Sequence, residues 1–144
     1  MHEKKAIAIT QGDSAGIGPE IIAKAFRDQP VLLKGCFVAG DLATMRRGVA
    51  VIASLDEAWE VPSRCLPVLQ LPDMPVPAPW GRITADAGRA AASSVQWAAR
   101  AALRGDIAAL VTAPLHKEAL HMAGVNYPGH TELLQAEAAQ HAGV

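Results

Sequence analysis

A parallel α/β fold is what this sequence predicts, and three observations predict it. Short apolar runs recur at residues 6–10, 36–39 and 107–111. Glycine-containing turns punctuate them, and helix-length stretches lie between them. Strands that alternate with helices run parallel, because each return has to cross a face of the sheet.

Each element has its own justification. The strand at 6–10 ends in a loop that runs through Gly18, and Pro19 then suits a first helical turn, where its missing N–H costs nothing. Glu20 suits the dipole of that helix, and Ile21, Ile22, Ala25 and Phe26 give it an apolar face. A second strand is expected over 36–39, closed by Gly40-Asp41 and a short helix to Arg47, and a third over 49–52. Residues 66–71 form a fourth, which Pro67 makes an edge strand or irregular. Pro72, Pro75, Pro77 and Pro79 then rule out a helix and favour a stiff connector over a polyproline ligand for a partner. Thr84 caps a long helix over 85–104, with Asp86 in its first turn and Gly105 at its end. Along it Ala87, Ala91, Val95, Ala98 and Ala102 make a face for close packing, against the sheet or another subunit. Residues 107–111 are the next buried strand, a short helix ends at Gly124, and a last helix covers 131–141.

With 144 residues the chain has the size of one ordinary domain and can bury a real core. Hydrophobic residues make up 51% and charged residues 19%, which excludes a disordered chain. A formal net charge of −1 argues against nucleic acid or an anionic membrane as partner, and 4% aromatics leave no stacking platform for single strands. Cys36 and Cys65 lack metal or redox spacing and read as reduced thiols. The charged start runs straight into a strand, His2 reads as a terminal residue, and no apolar run reaches the ~20 residues of a membrane span. Neither signal peptide nor membrane anchor is expected, and the location expected is cytoplasmic.

Two polar segments carry the chemistry. Gly12-Asp13-Ser14-Ala15-Gly16-Ile17-Gly18 is neither a dinucleotide fingerprint nor a P-loop, since both spacings fail. Its glycines either let a ligand approach amides near a helix start or only make a tight turn. Asp13 adds a carboxylate at the carboxyl end of the first strand, where open α/β sheets bind ligands. The second segment holds His116 and Lys117, then His130-Thr131 after Pro128-Gly129. His116 and Lys117 suit an anion. His130 and Thr131 either fix a substrate hydroxyl or phosphate, or serve as a surface residue and a plain N-cap. His116 and His121 are five apart, which does not put two metal ligands on one helical face, and His121 and His141 read as solvated.

These motifs resemble a known family. Ile9-Thr10-Gln11-Gly12-Asp13-Ser14-Ala15-Gly16-Ile17-Gly18-Pro19-Glu20-Ile21 is similar to the opening of the 4-hydroxythreonine-4-phosphate dehydrogenases of vitamin B6 synthesis. Val111-Thr112-Ala113-Pro114-Leu115-His116-Lys117-Glu118 and Tyr127-Pro128-Gly129-His130-Thr131-Glu132 resemble the central signature of that family, and Gly81 to Ala90 also fits. Gly16-Ile17-Gly18-Pro19-Glu20 is also similar to the start of isocitrate and isopropylmalate dehydrogenases. The resemblance implies a three-layer α/β sheet of the isocitrate/isopropylmalate dehydrogenase-like type, incomplete in this chain. It implies two domains, with the active site in the cleft and at a homodimer interface. It also implies an NAD-dependent, divalent-metal-assisted oxidation of 4-phosphohydroxy-L-threonine, giving a β-keto acid that decarboxylates to a phosphorylated aminoketone. His130 and Thr131 match the substrate-binding pair of the family, and Asp13, His116 and Lys117 would line the cleft.

Ser14 stands where the family usually has Pro, and Gln11 where it commonly has Met. The chain matches only about the first two-fifths of a family member, residues 1–144 corresponding to its N-terminal α/β portion. The resemblance therefore places the metal ligands, the acid–base residues and most NAD contacts elsewhere, with no catalytic or metal residue assigned here. A truncated dehydrogenase, inactive alone and with an unpaired sheet edge, is the expectation. Rival readings are a dehydrogenase of threonate or erythronate phosphate, and a non-catalytic binding or dimerisation remnant.

Overall fold

The computed structural model describes residues 4–45, 49–62 and 65–143. Its elements run β1 (Ile7–Thr10), α1 (Gly18–Asp28), β2 (Cys36–Gly40), α2 (Leu42–Met45), β3 (Val49–Ile52), a 3-10 turn (Asp56–Trp59) and β4 (Leu66–Gln70). After these come α3 (Ala85–Leu103), β5 (Ala109–Thr112), α4 (Lys117–Met122) and α5 (His130–Ala142). His2, and the expected end of the second helix at Arg47, lie outside the described residues.

The five strands form one parallel sheet in the order β3-β4-β2-β1-β5. Period-two alternation sends Ile7 and Ile9 to one face, with Ile22 and Phe26 of α1 and Met45 of α2. Ala6 and Ala8 go to the other face, with Ala98 and Ala101 of α3. On that second side α4 and α5 pack on α3 around Ala92, Val95, Leu120 and Leu133. This is the three-layer α/β arrangement that was expected. β2 is buried along its whole length, because it has a strand on each side and helices on both faces.

The long helix begins as read from sequence: the Thr84 hydroxyl accepts the Ala87 N–H at 3.1 Å. Its alanine face lies against the sheet and the neighbouring helices of the same chain, which settles one half of that expectation. Gly88 lets α4 approach backbone to backbone, since a Cβ there would collide with the Ala119 carbonyl.

Two strand expectations are corrected. β4 is an interior strand, not an edge, with β3 on one side and β2 on the other. Pro67 is accommodated because it pairs with Ala50 of β3 while the β2 ladder opens only at Val68, one residue later. Conversely β5, expected to be buried, is a half-exposed edge whose only strand neighbour among the described residues is β1, and Val111 is 52% exposed. The proline-rich stretch is an irregular connector that crosses the glycine loop, where the Gly81 N–H donates to the Ala15 carbonyl at 2.8 Å.

Candidate functional site

β1 leads into α1 on one face, whereas β5 is reached through α3 on the other. The sheet order therefore reverses between β1 and β5, and the carboxyl ends of strands at such a switch point are where doubly wound sheets take ligands. Both polar segments of the sequence arrive at this point. The loop after β1 and the loop after β5 are stitched together by Asp13 N–H to Pro114 C=O at 2.9 Å and Ala113 N–H to Thr10 C=O at 3.3 Å. Gly12 has φ +72°, and a Cβ there would collide with the Pro114 carbonyl, so only glycine admits this crossing.

Three amides of the glycine loop are committed within the fold. Besides Asp13, the Ala15 N–H donates to Asp13 Oδ1 at 2.9 Å and the Gly16 N–H to the Asp13 carbonyl at 3.1 Å. The Asp13 carboxylate thus braces its own turn, half-buried. Gln11, wholly buried, reaches toward β2, where its Oε1 accepts the Asp41 N–H at 2.7 Å. A Cβ on Gly40 would collide with that same oxygen. Asp41 in turn accepts from Thr44 at 2.9 Å (N–H) and 3.0 Å (hydroxyl), and from Gln70 Nε2 at 3.3 Å.

His130 is the first residue of α5, whose N-cap is Gly129, so Thr131 is not the cap; it sits exposed in the first turn. The His130 ring lies beside the Ala113 backbone. Burial pushes its pKa below the ordinary imidazole value, and the hydrogen bond to Ala113 opposes this in part. The ring is accordingly neutral at neutral pH, and its Nε2 is buried without a partner. His116 caps α4 with an extended backbone and half-buried side chain, its Nδ1 also unpartnered, and Lys117 is exposed beside it. Four of the five buried side-chain atoms without partners among the described residues belong here: Thr10 Oγ1, Gln11 Nε2, His116 Nδ1 and His130 Nε2. Buried polar atoms are normally satisfied, so these four are the places where a water or a ligand would complete the hydrogen bonding.

Sequence reasoning passed over Thr10 and Gln11, which lay inside a quoted motif but carry no titratable group. It also missed the pair Arg100–Glu137, which joins α3 to α5: Arg100 Nε and Nη2 donate to the two Glu137 oxygens at 2.7 and 3.0 Å. Among the described residues no three of His, Cys, Asp and Glu converge, so these side chains do not fit a metal by themselves. The amides of Asp13, Ala15 and Gly16, already committed, are not free to cradle a pyrophosphate. A separate open groove of about 1000 Å³ lies between α1, α2 and the 77–80 segment, and the two histidines do not line it.

An all-parallel α/β sheet with buried, unsatisfied polar side chains at its switch point has the architecture of the dehydrogenase-like α/β class. The family described as pyridoxal phosphate biosynthetic protein PdxA matches residues 32–144, and the chain belongs to that family. The D-threonate 4-phosphate dehydrogenase of Salmonella typhimurium is 45% identical over 142 residues, covering 92% of this chain and 43% of that protein. The 4-hydroxythreonine-4-phosphate dehydrogenase of Trichlorobacter lovleyi is 39% identical over 143 residues, covering 91% and 42%. The crystal structure of the 4-hydroxythreonine-4-phosphate dehydrogenase from Klebsiella pneumoniae matches with a TM-score of 0.84 at 39% identity, over 93% of this chain and 44% of that one. The fold is therefore the isocitrate dehydrogenase-like one expected. The chain spans a little over two-fifths of the length of the curated relatives it matches.

Proposed function

We propose that these residues form the substrate-holding N-terminal α/β portion of a two-domain dehydrogenase. Its substrate is a small phosphorylated hydroxy acid, in the first place 4-phosphohydroxy-L-threonine. The observation that carries this reading is the half-buried His130 ring, held at the switch point with an unpartnered Nε2. A neutral imidazole both donates and accepts, so it orients a substrate hydroxyl or carboxyl without adding a competing charge. The Thr131 hydroxyl, one residue on, donates and accepts in the same way. His116 and Lys117 at the head of α4 offer a donor and a positive charge to an anionic group, and the Asp13 loop shapes the opposite wall.

On this reading the hydride acceptor and the Lewis acid of the reaction, NAD and a divalent metal, would be held by polypeptide other than these 144 residues, whose described side chains do not converge as a metal-ligand set. What this chain supplies is orientation, which lowers the barrier only if the bound geometry is close to the reacting one. The 144 residues alone are expected not to turn substrate over. A second reading, D-threonate 4-phosphate as substrate, is favoured by the 45% identity to the Salmonella relative. The two acids differ at the carbon next to the carboxylate, which carries an amine in one and a hydroxyl in the other.

The test is NADH formation by the intact protein with each acid, NAD and a divalent metal, for the wild type and His130→Ala. The variant should bind either acid roughly 10- to 100-fold more weakly, as expected for one or two lost hydrogen bonds. Unchanged affinity would remove His130 from the site, and turnover by the 144 residues alone would refute the division of labour.

A further inference from the structure

We propose that Arg100 and Glu137 are a positioning pair for the candidate site: their bond sets how α5 sits on α3, and so where His130 is presented. The functional consequence rests on the reading of His130 as a substrate-binding group; the structural one does not.

A surface helix is ordinarily held by an apolar stripe. In α5 only Leu133 and Glu137 are fully buried. Leu133 inserts between Ala92 and Val95 of α3 and Leu120 of α4, with Leu134 partly buried beside it. The remaining apolar residues of α5 are alanines, which add little contact area. One buried and one partly buried leucine anchor the helix to the surface but resist rotation and sliding weakly, because hydrophobic contact is non-directional. The bidentate pair supplies the missing direction: both carboxylate oxygens are taken by the fork of one guanidinium, at 2.7 and 3.0 Å. Glu137 is 6% exposed, whereas Arg100 keeps about half of its surface in water. The arginine therefore reaches in from α3 to meet a carboxylate that has no other charged partner among the described residues. Without it a buried charge would be stranded, and the helix would have to turn or lift to rehydrate it.

His130, Leu133 and Glu137 stand at i, i+3 and i+7, on one stripe of α5. Any rotation that lets Glu137 reach water also carries the His130 ring away from Ala113 and into solvent. The lowered His130 pKa thus reports on the pair, since it arises mainly from the burial the pair maintains.

The experiment follows the His130 ring by NMR titration and the α5 amides by hydrogen exchange in the intact protein. The variants are Glu137→Gln, Glu137→Ala and Arg100→Lys, with Phe26→Leu on the opposite face of the sheet as a control. The pair variants should exchange the α5 amides at least tenfold faster, and His130 should titrate closer to an ordinary imidazole. Arg100→Lys should fall between wild type and Glu137→Ala, because it keeps the charge but loses the fork. Phe26→Leu should lower the unfolding midpoint and leave both readings at wild-type values. Should Glu137→Ala fail to fold, the other two pair variants give the same readings. Wild-type His130 titration and α5 exchange in the folded pair variants would overturn the proposal, as would an equal shift in Phe26→Leu. If His130→Ala leaves substrate affinity unchanged, the substrate reading fails while the NMR result still decides the pair.

Discussion

Replacing Gly88 by Ala sets two opposing effects against each other, and the structure decides the sign. Gly88 lies in α3, so the substitution improves helix propensity by about 1 kcal/mol. The added methyl would, however, collide with the Ala119 carbonyl and come within 2.9 Å of the Leu120 nitrogen. Both are main-chain atoms of α4, and Ala119 and Leu120 are buried, so no side chain can swing aside. α4 would have to retreat by about an ångström or more, opening the Leu120–Val95–Leu133 cluster. Overpacking of this kind costs about 1–3 kcal/mol and sometimes more, and here it acts on rigid backbone. Because the clash is with backbone, the upper end of that cost applies, and the balance is a net loss of about 2 kcal/mol, with a fall in Tm on the order of 5 °C. Urea unfolding of the Gly88→Ala variant measures it, with an unchanged m-value if the effect is on stability alone. A variant more stable by the full propensity gain would refute the α3–α4 backbone contact.

Three further outcomes are expected. His130 has a lowered pKa in the folded state, so as pH falls the unfolded chain takes up the proton first; its contribution is full above the ordinary value near 6.5 and is lost on descending toward the folded value. His130→Asn should therefore reduce the loss of stability between pH 7.5 and 5.5 seen by urea unfolding, and an undiminished loss would contradict the buried, neutral ring. Gly40→Ala should cost about 2 kcal/mol by driving out the Gln11 side chain and breaking its bond to Asp41, and Gln11→Ala in that background should recover part of it. Strict additivity in a double-mutant cycle would show that the two do not touch. Burial raises the pKa of the Cys36 thiol, whereas Cys65 is half-buried, so a thiol reagent at pH 8 should label Cys65 quickly and Cys36 only on unfolding.

Local features were legible because local chemistry causes them. Thr84 caps α3, Gly105 and Gly124 follow helix ends at positive φ, and the alanines of α3 lie where a 3.6-residue period puts them. The lateral order of the strands was not, because composition does not say how many neighbours a strand has. Pro67 argued for an edge and lost, since a proline is harmful only at a rung it must make. Val111 argued for burial and lost, since an apolar run is the same whether one strand or two flank it. The 3-10 turn over Asp56–Trp59 had no cap or period long enough to show. Arg100 and Glu137 lie 37 residues apart, and the one local hint was a carboxylate four residues after Leu133, on the inward face of α5.

The glycine loop shows why a motif and its mechanism have to be argued separately. A run of glycines after a first strand invites the reading that amides cradle an anion, and the same run is equally consistent with a tight turn. The geometry tells these apart through the destination of the amides: those of Asp13, Ala15 and Gly16 end on Pro114 and Asp13. The loop is thus committed to joining β1 to the segment after β5, and that junction holds the Ala113 carbonyl beside His130. What stays unpaired at the carboxyl edge is not backbone but side chain: two imidazole nitrogens, a hydroxyl and a carboxamide. Such groups select by the placement of donors and acceptors, beside whatever charge Lys117 adds. An amine and a hydroxyl at one substrate carbon differ in both respects, so turnover of the two phosphorylated acids tests the chemistry of the site as well as its occupant.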